Sequence, residues 1–152
     1  NLSIVKSVVN SNDNRKNLLT KKVEKIMNGK LKNKIITFLG VTFKPNTDDM
    51  REASSIPMIK YLNKKKCKIR YFDPSGKKNE FKKLINVKYY KDISSACLKS
   101  DLIILHTEWN DFKLLNFKKL VKKNNFKFFD MRNVYSPLKM KNLKIKYYGI
   151  GR

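Results

Sequence analysis

The sequence predicts an α/β domain, a mainly parallel sheet flanked by helices and preceded by one long helix. Two observations carry that expectation. Short apolar runs, Ile35–Leu39 and Leu102–Leu105 above all, alternate with segments of helical spacing, as strand–helix–strand units do. Before Gly29 the pattern is different: Val5, Val8, Val9, Leu19, Val23, Ile26 and Met27 recur at near-helical intervals with no strand-like run.

In chain order, residues 1–28 read as the long helix, stopped by Asn28-Gly29 and weakened by the polar stretch 10–14. This helix is expected to project from the body. Residues 35–39 (IITFL) form a buried strand ending at Gly40, and Ser54-Ser55 cap a helix carrying Ile56, Ile59 and Leu62. Pro57 is tolerated in its first turn. Residues 68–72 (KIRYF) form a strand closed by the turn Asp73-Pro74-Ser75-Gly76. A short helix at 81–85, an edge strand at 87–90 and a helix at 94–99 follow. Residues 102–105 (LIIL) are the most hydrophobic strand and are placed at the centre, beside 35–39. A helix at 112–121 and strands at 126–129 and 145–148 complete a Rossmann-like arrangement.

Composition narrows the function. With 41% hydrophobic residues the 152-residue chain can build one core. No apolar run approaches the roughly 20 residues of a membrane span, and no secretory signal opens the chain. The absent initiator Met suggests a piece of something longer. Cys67 and Cys97 are far apart, which excludes a disulfide framework or zinc cluster and fits a reducing, cytoplasmic setting. Thirty-six Lys+Arg against 12 Asp+Glu give a formal charge of +24. Clustered cations would suit nucleic acid. Here 31 of the 36 are lysines spread along the whole chain, Asn is abundant, and alanine occurs only at Ala53 and Ala96. Drift toward A/T-rich codons explains that pattern without a nucleic-acid partner. A stand-alone basic nucleic-acid module, or a degenerate dimerisation element, remains the alternative.

Ligands of an open parallel sheet collect at the carboxyl ends of its strands. Lys44, Arg51 and Arg132 fall in those segments, so three cations could meet phosphate or carboxylate groups in one crevice. The competing reading pairs Arg132 and Lys44 with Asp48, Asp49 or Glu52. Gly40 stands alone where a dinucleotide site would have G-x-G-x-x-G, so this domain is not expected to be the primary NAD-binding half. Asp73 stands where a ribose-binding acid would be, but reads better as a turn former. His106 could act as a general base; without a visible acid–base partner it reads more simply as structural. Trp109 reads as a packing anchor, and the two cysteines as inert fillers.

The segment from Gly40 to Ile56, GVTFKPNTDDMREASSI, resembles the signature that opens the C-terminal domain of the UDP-glucose/GDP-mannose dehydrogenase family. Tyr71-Phe72-Asp73-Pro74, the run His106-Thr107-Glu108-Trp109-Asn110-Asp111-Phe112 and Asp130-Met131-Arg132-Asn133 follow in the family's order, and the last five residues, YGIGR, are similar to its usual ending. The Thr-Glu-Trp and Phe-Lys-Pro-Asn-Thr wording is closer to the UDP-glucose branch than to the GDP-mannose or UDP-N-acetylmannosamine branches. The resemblance implies residues 1–29 as a connecting helix from a missing central domain and 30–152 as a UDP-sugar-binding domain. It implies a two-step oxidation of the sugar C6 alcohol to a carboxylate by two NAD⁺, through a thiohemiacetal on a cysteine. By motif position, Phe43, Lys44 and Arg132 would contact UDP-glucose, and Arg51 would reach NAD. The N-terminal G-x-G-x-x-G half and the segment bearing the nucleophile are not in this sequence, so the chain alone is expected to be inactive, with no catalytic residue and no metal ligand of its own. The whole protein would be a homodimer. One departure stands beside Arg132, where the family's usual Gly is Met131.

Overall fold

The computed structural model describes residues 2–151; Asn1 and Arg152, which the expectations above include, lie outside the described residues. Six strands form one fully parallel sheet in the order β3-β2-β1-β4-β5-β6. They are β1 (Ile35–Leu39), β2 (Lys68–Phe72), β3 (Val87–Tyr89), β4 (Leu102–Leu105), β5 (Lys127–Asp130) and β6 (Lys146–Gly149). The helices are α1 (Leu2–Ile26), α2 (Ser55–Lys64), α3 (Ile93–Cys97), α4 (Phe117–Val121) and α5 (Pro137–Asn142). β1 and β4 are adjacent at the centre, with Thr37 beside Ile103 and Leu39 beside Leu105. Strand order reverses between them, so the crevice lies at their carboxyl ends.

Both faces of the sheet are covered, which is why the central strands read as continuous apolar runs. Alternate side chains go to opposite faces. Ile36, Phe38, Ile69, Tyr71, Leu102, Ile104 and Phe129 pack with Met58, Ile59 and Leu62 of α2 and with Val23 and Ile26 of α1. Leu39, Ile103, Leu105 and Phe128 pack on the other face with Cys97, Phe112, Phe117, Val121 and Met140. Thr37 is fully buried on that second face, where its Oγ1 donates to the Ala96 carbonyl (2.8 Å) and lies 2.7 Å from Ser100 Oγ.

Four expectations change. α1 projects only in part: Ile4, Val5, Val8 and Val9 are exposed, whereas Val23, Ile26 and Met27 are docked in the core. The helix expected at 81–85 is a 3₁₀ turn at Asn79–Phe81 that seats Phe81. The helix expected at 112–121 is a 3₁₀ turn, Asn110–Phe112, followed by the separate short α4. Asn116 caps α4, its side chain accepting from the Lys119 N–H, and this ends any continuous helix. Ser54 does occupy the N-cap of α2, but its backbone is helical (φ −67°, ψ −14°) and its hydroxyl makes no capping bond.

Candidate functional site

A cavity of about 380 Å³ opens at the carboxyl ends of β1, β4, β5 and β6. Phe43 and Lys44 enter from the loop after β1, Glu52 and Ser54 from the approach to α2, His106 and Glu108 from the loop after β4, and Met131 and Arg132 from the loop after β5. α1 closes one side with Asn12, Arg15, Lys16 and Leu19.

The β1 loop takes its shape from a close approach. Gly40 has φ +72°, and a Cβ there would lie 2.6 Å from the Cβ of Thr107. Only glycine fits a position that is both left-handed and this crowded. Asp73, fully buried, braces the same loop by accepting the Val41 N–H at 2.7 Å. Its other oxygen accepts from the N–H and hydroxyl of Ser75, with Lys78 Nζ 3.9 Å away. The turn-forming role expected of Asp73 therefore holds, and it extends to fixing the β1 loop. These residues do not fit a dinucleotide: Thr107 fills the space beside Gly40, and the Asp73 carboxylate is fully buried with both oxygens already accepting from its own loops, out of reach of a ribose.

Arg132 clamps three loops together. Its Nε–H donates to the His106 carbonyl at 2.8 Å, its Nη2 donates to the Phe43 carbonyl at 3.3 Å, and Glu108 Oε2 lies 2.9 Å from Nε. The Nε–H points at the carbonyl, so Glu108 contributes an ion pair rather than a hydrogen bond. Three N–H groups of the guanidinium remain for a ligand. Lys16 reaches from α1 to Glu52 at 2.5 Å. Arg15 and Lys44 form no ion pair among the described residues. The competing reading holds for Lys44 only at long range, its charge helping to lower the Asp49 carboxyl without an ion pair, while Arg132 pairs with Glu108 rather than with Asp48, Asp49 or Glu52.

Arg51 is elsewhere. It is exposed outside the cavity and held by Asp49, whose carboxylate accepts from Arg51 Nε at 3.0 Å and Nη2 at 2.9 Å. That pairing pulls the Asp49 carboxyl down to about 2. Of the three cations expected to meet, the structure brings Lys44 and Arg132 together and leaves Arg51 apart.

His106 is buried, and burial, helped by the Arg132 charge, pushes its imidazole down to about 3. It is neutral at physiological pH. Its Nε2 lies 2.9 Å from Ser54 Oγ and its Nδ1 2.9 Å from Thr107 Oγ1. Trp109 packs against the second core face, as expected of an anchor. Burial pushes the Cys67 thiol up to about 11 and the Cys97 thiol up to about 12, so neither is a nucleophile at neutral pH. Sequence reasoning missed Arg15, Lys16, Ser54 and Glu108 as cavity residues. Only Ser54 and Glu108 carried a signal, because they lie inside recognised motifs.

A parallel sheet with its crevice at the switch point, four basic side chains against two carboxylates, and no room for a dinucleotide in the first turn define a nucleotide-binding-type α/β domain built for an anionic ligand. Residues 37–137 match the model of the UDP-glucose/GDP-mannose dehydrogenase family, UDP binding domain. The chain is 35% identical over 151 residues to UDP-glucose 6-dehydrogenase of Rickettsia felis, covering 97% of this chain and 34% of that protein. It is 34% identical over 152 residues to UDP-glucose 6-dehydrogenase of Rhizobium meliloti, covering 98% of this chain and 34% of that protein. In fold it is similar to a UDP-glucose dehydrogenase from Pyrobaculum islandicum, with a TM-score of 0.75 and 24% identity over 97% of this chain and 32% of that one. The chain therefore belongs to the UDP-glucose/GDP-mannose dehydrogenase family, as its C-terminal, UDP-binding domain. It spans about a third of the length of the curated relatives it matches. Among the described residues no helix is long and apolar enough to cross a membrane.

Proposed function

We propose that this chain is the UDP-sugar-binding domain of a UDP-glucose 6-dehydrogenase, acting in the cytoplasm as part of a homodimer. The whole protein would oxidise the C6 alcohol of UDP-glucose to a carboxylate while two NAD⁺ are reduced to two NADH. The nucleophilic cysteine and the primary NAD site would come from outside these 152 residues, in keeping with buried, high-pKa Cys67 and Cys97 and the closed turn at Gly40.

One observation carries the reading: the cavity gathers Arg15, Lys44 and Arg132 around one space, and among the described residues neither Arg15 nor Lys44 is closed off by an ion pair, the Asp49 carboxylate acting on Lys44 only from beyond ion-pair distance. A diphosphate supplies the missing negative charge, and Arg132 presents N–H groups in a fixed fork. Phe43, exposed at the rim, gives the ligand an apolar face. Arg51 is assigned to the cofactor held by another domain; its exposure outside the cavity supports a contact made across domains rather than within this one.

Calorimetric titration of the 152-residue chain with UDP-glucose tests the reading. A charge-assisted hydrogen bond contributes about 1.5–3 kcal/mol, so Lys44→Ala should weaken binding roughly 10- to 150-fold. Arg132→Ala should weaken it at least as much, because it also frees the Phe43 and His106 carbonyls. Lys65→Ala and Lys123→Ala, outside the cavity, should change nothing. Equal effects at all four positions would assign binding to overall charge.

A further inference from the structure

The hydrogen bonds around His106 have only one consistent set of directions. Thr107 Oγ1 lies 2.7 Å from the Thr42 carbonyl, which can only accept, so the single hydroxyl proton of Thr107 is spent there. His106 Nδ1, 2.9 Å from the same oxygen, must then be the donor. The ring is neutral, so Nε2 carries a lone pair and takes the proton of Ser54 Oγ at 2.9 Å. The chain runs one way, from Ser54 through His106 and Thr107 to the Thr42 carbonyl. Ser54 also lines the cavity, and its helical backbone keeps the hydroxyl from capping α2. With its proton committed, Ser54 Oγ offers the cavity lone pairs alone.

We propose that Ser54 is a specificity-determining residue that accepts a hydrogen bond from a neutral donor of the ligand, next to the diphosphate held by the cavity's cations. This rests on the functional reading above and deepens it. The cations favour any polyphosphate, but an acceptor-only oxygen repels phosphate oxygens and rewards an O–H or N–H. The cavity thereby separates a sugar nucleotide from a bare diphosphate. His106 acts through Ser54 as a positioning residue.

His106 is the only histidine, so its ring nitrogens can be read without ambiguity in a two-bond ¹H–¹⁵N NMR spectrum of the 152-residue chain. The expected result, with no ligand present, is the Nδ1–H tautomer, unchanged between pH 8 and 5. An Nε2–H tautomer, or a ring that titrates near the ordinary histidine value, overturns the proposal. Titrations with inorganic pyrophosphate, UDP and UDP-glucose supply the second arm. Ser54→Ala should leave pyrophosphate binding unchanged and weaken UDP-glucose about 2- to 13-fold, the range of one neutral hydrogen bond. Ser54→Thr, which keeps the hydroxyl, should restore it. A penalty on UDP-glucose alone places the donor on the hexose, and an equal penalty on UDP places it on the nucleoside; both support the proposal. No effect of Ser54→Ala on any probe, or the same loss for pyrophosphate, overturns it while leaving the diphosphate reading intact. Failure of the wild-type chain to bind any probe overturns the functional reading and this role with it.

Discussion

Replacing Gly40 by alanine should destabilise the domain through two separate costs. The first is conformational: φ +72° is left-handed, a region that charges a Cβ-bearing residue about 1–2 kcal/mol. The second is crowding, because the new methyl would lie 2.6 Å from Thr107 Cβ, 2.9 Å from its carbonyl oxygen and 3.1 Å from its Cα. Thr107 cannot retreat cheaply, being fully buried and hydrogen-bonded through Oγ1 to the Thr42 carbonyl. Overpacking against backbone of this kind costs about 1–3 kcal/mol. The sum, about 2–5 kcal/mol, is a large fraction of the 5–15 kcal/mol that a domain of this kind holds. Gly76 is an internal control: its φ is +91°, but nothing lies within 4 Å of a Cβ placed there, so Gly76→Ala incurs only the first cost. Urea denaturation at pH 7.5, analysed with a common m-value, separates the two. Gly40→Ala costing no more than Gly76→Ala would refute the close approach, and with it the account of how the β1 loop is shaped.

Lys66, Lys99, Lys122 and Lys144 all adopt left-handed backbone (φ 48–60°) in the turns that lead into β2, β4, β5 and β6, where helix ends favour glycine. Each Lys→Gly change should stabilise by about 0.5–1 kcal/mol after the gain in unfolded-state entropy is subtracted, read as a rise in urea midpoint; unchanged midpoints would contradict this. His106 sets a pH dependence. Its folded pKa of about 3 lies below its ordinary value, so the unfolded chain binds the extra proton, and stability is complete above about pH 6.5 and falls as pH drops toward 3. Between pH 7.5 and 5 the loss should be about 2 kcal/mol, and His106→Gln should flatten it. Cys67 and Cys97 should resist a thiol-reactive disulfide reagent at pH 8 until the chain is unfolded, when both react; rapid labelling of the native chain would show that burial is incomplete.

Much of the fold was legible because its strands are short apolar runs with sharp ends. β1, β2 and β4 fall where residues 35–39, 68–72 and 102–105 place them. Residues 112–121 misled because Leu114, Phe117 and Val121 keep a helical interval although Asn116 interrupts the backbone between the first two. α5 was missed despite a readable Ser136-Pro137 start, with Ser136 Oγ accepting from the Lys139 N–H. Its single buried residue, Met140, gives no apolar stripe to recognise. At the site, Lys44, Phe43 and Arg132 were legible from motifs at strand ends. Arg15 and Lys16 were not, since the angle at which α1 docks is set by Val23, Ile26 and Met27 against α2 and the sheet. The Ser54–His106 contact joins residues 52 apart in sequence, and no local pattern announces it.

The most direct test of the central claim is a backbone ¹H–¹⁵N NMR titration of the 152-residue chain with UDP-glucose. If the crevice at the carboxyl ends of β1, β4 and β5 is the ligand site, the shifts will concentrate at Phe43, Lys44, Ser54, Glu108 and Arg132 and on the α1 turn carrying Arg15 and Lys16. Residues around Lys122, Lys123 and Lys144, equally basic but at the opposite ends of the strands, will stay still. Shifts spread evenly over the lysine-rich surface, or centred on that opposite end, would contradict a built UDP-sugar site and assign the binding to charge alone.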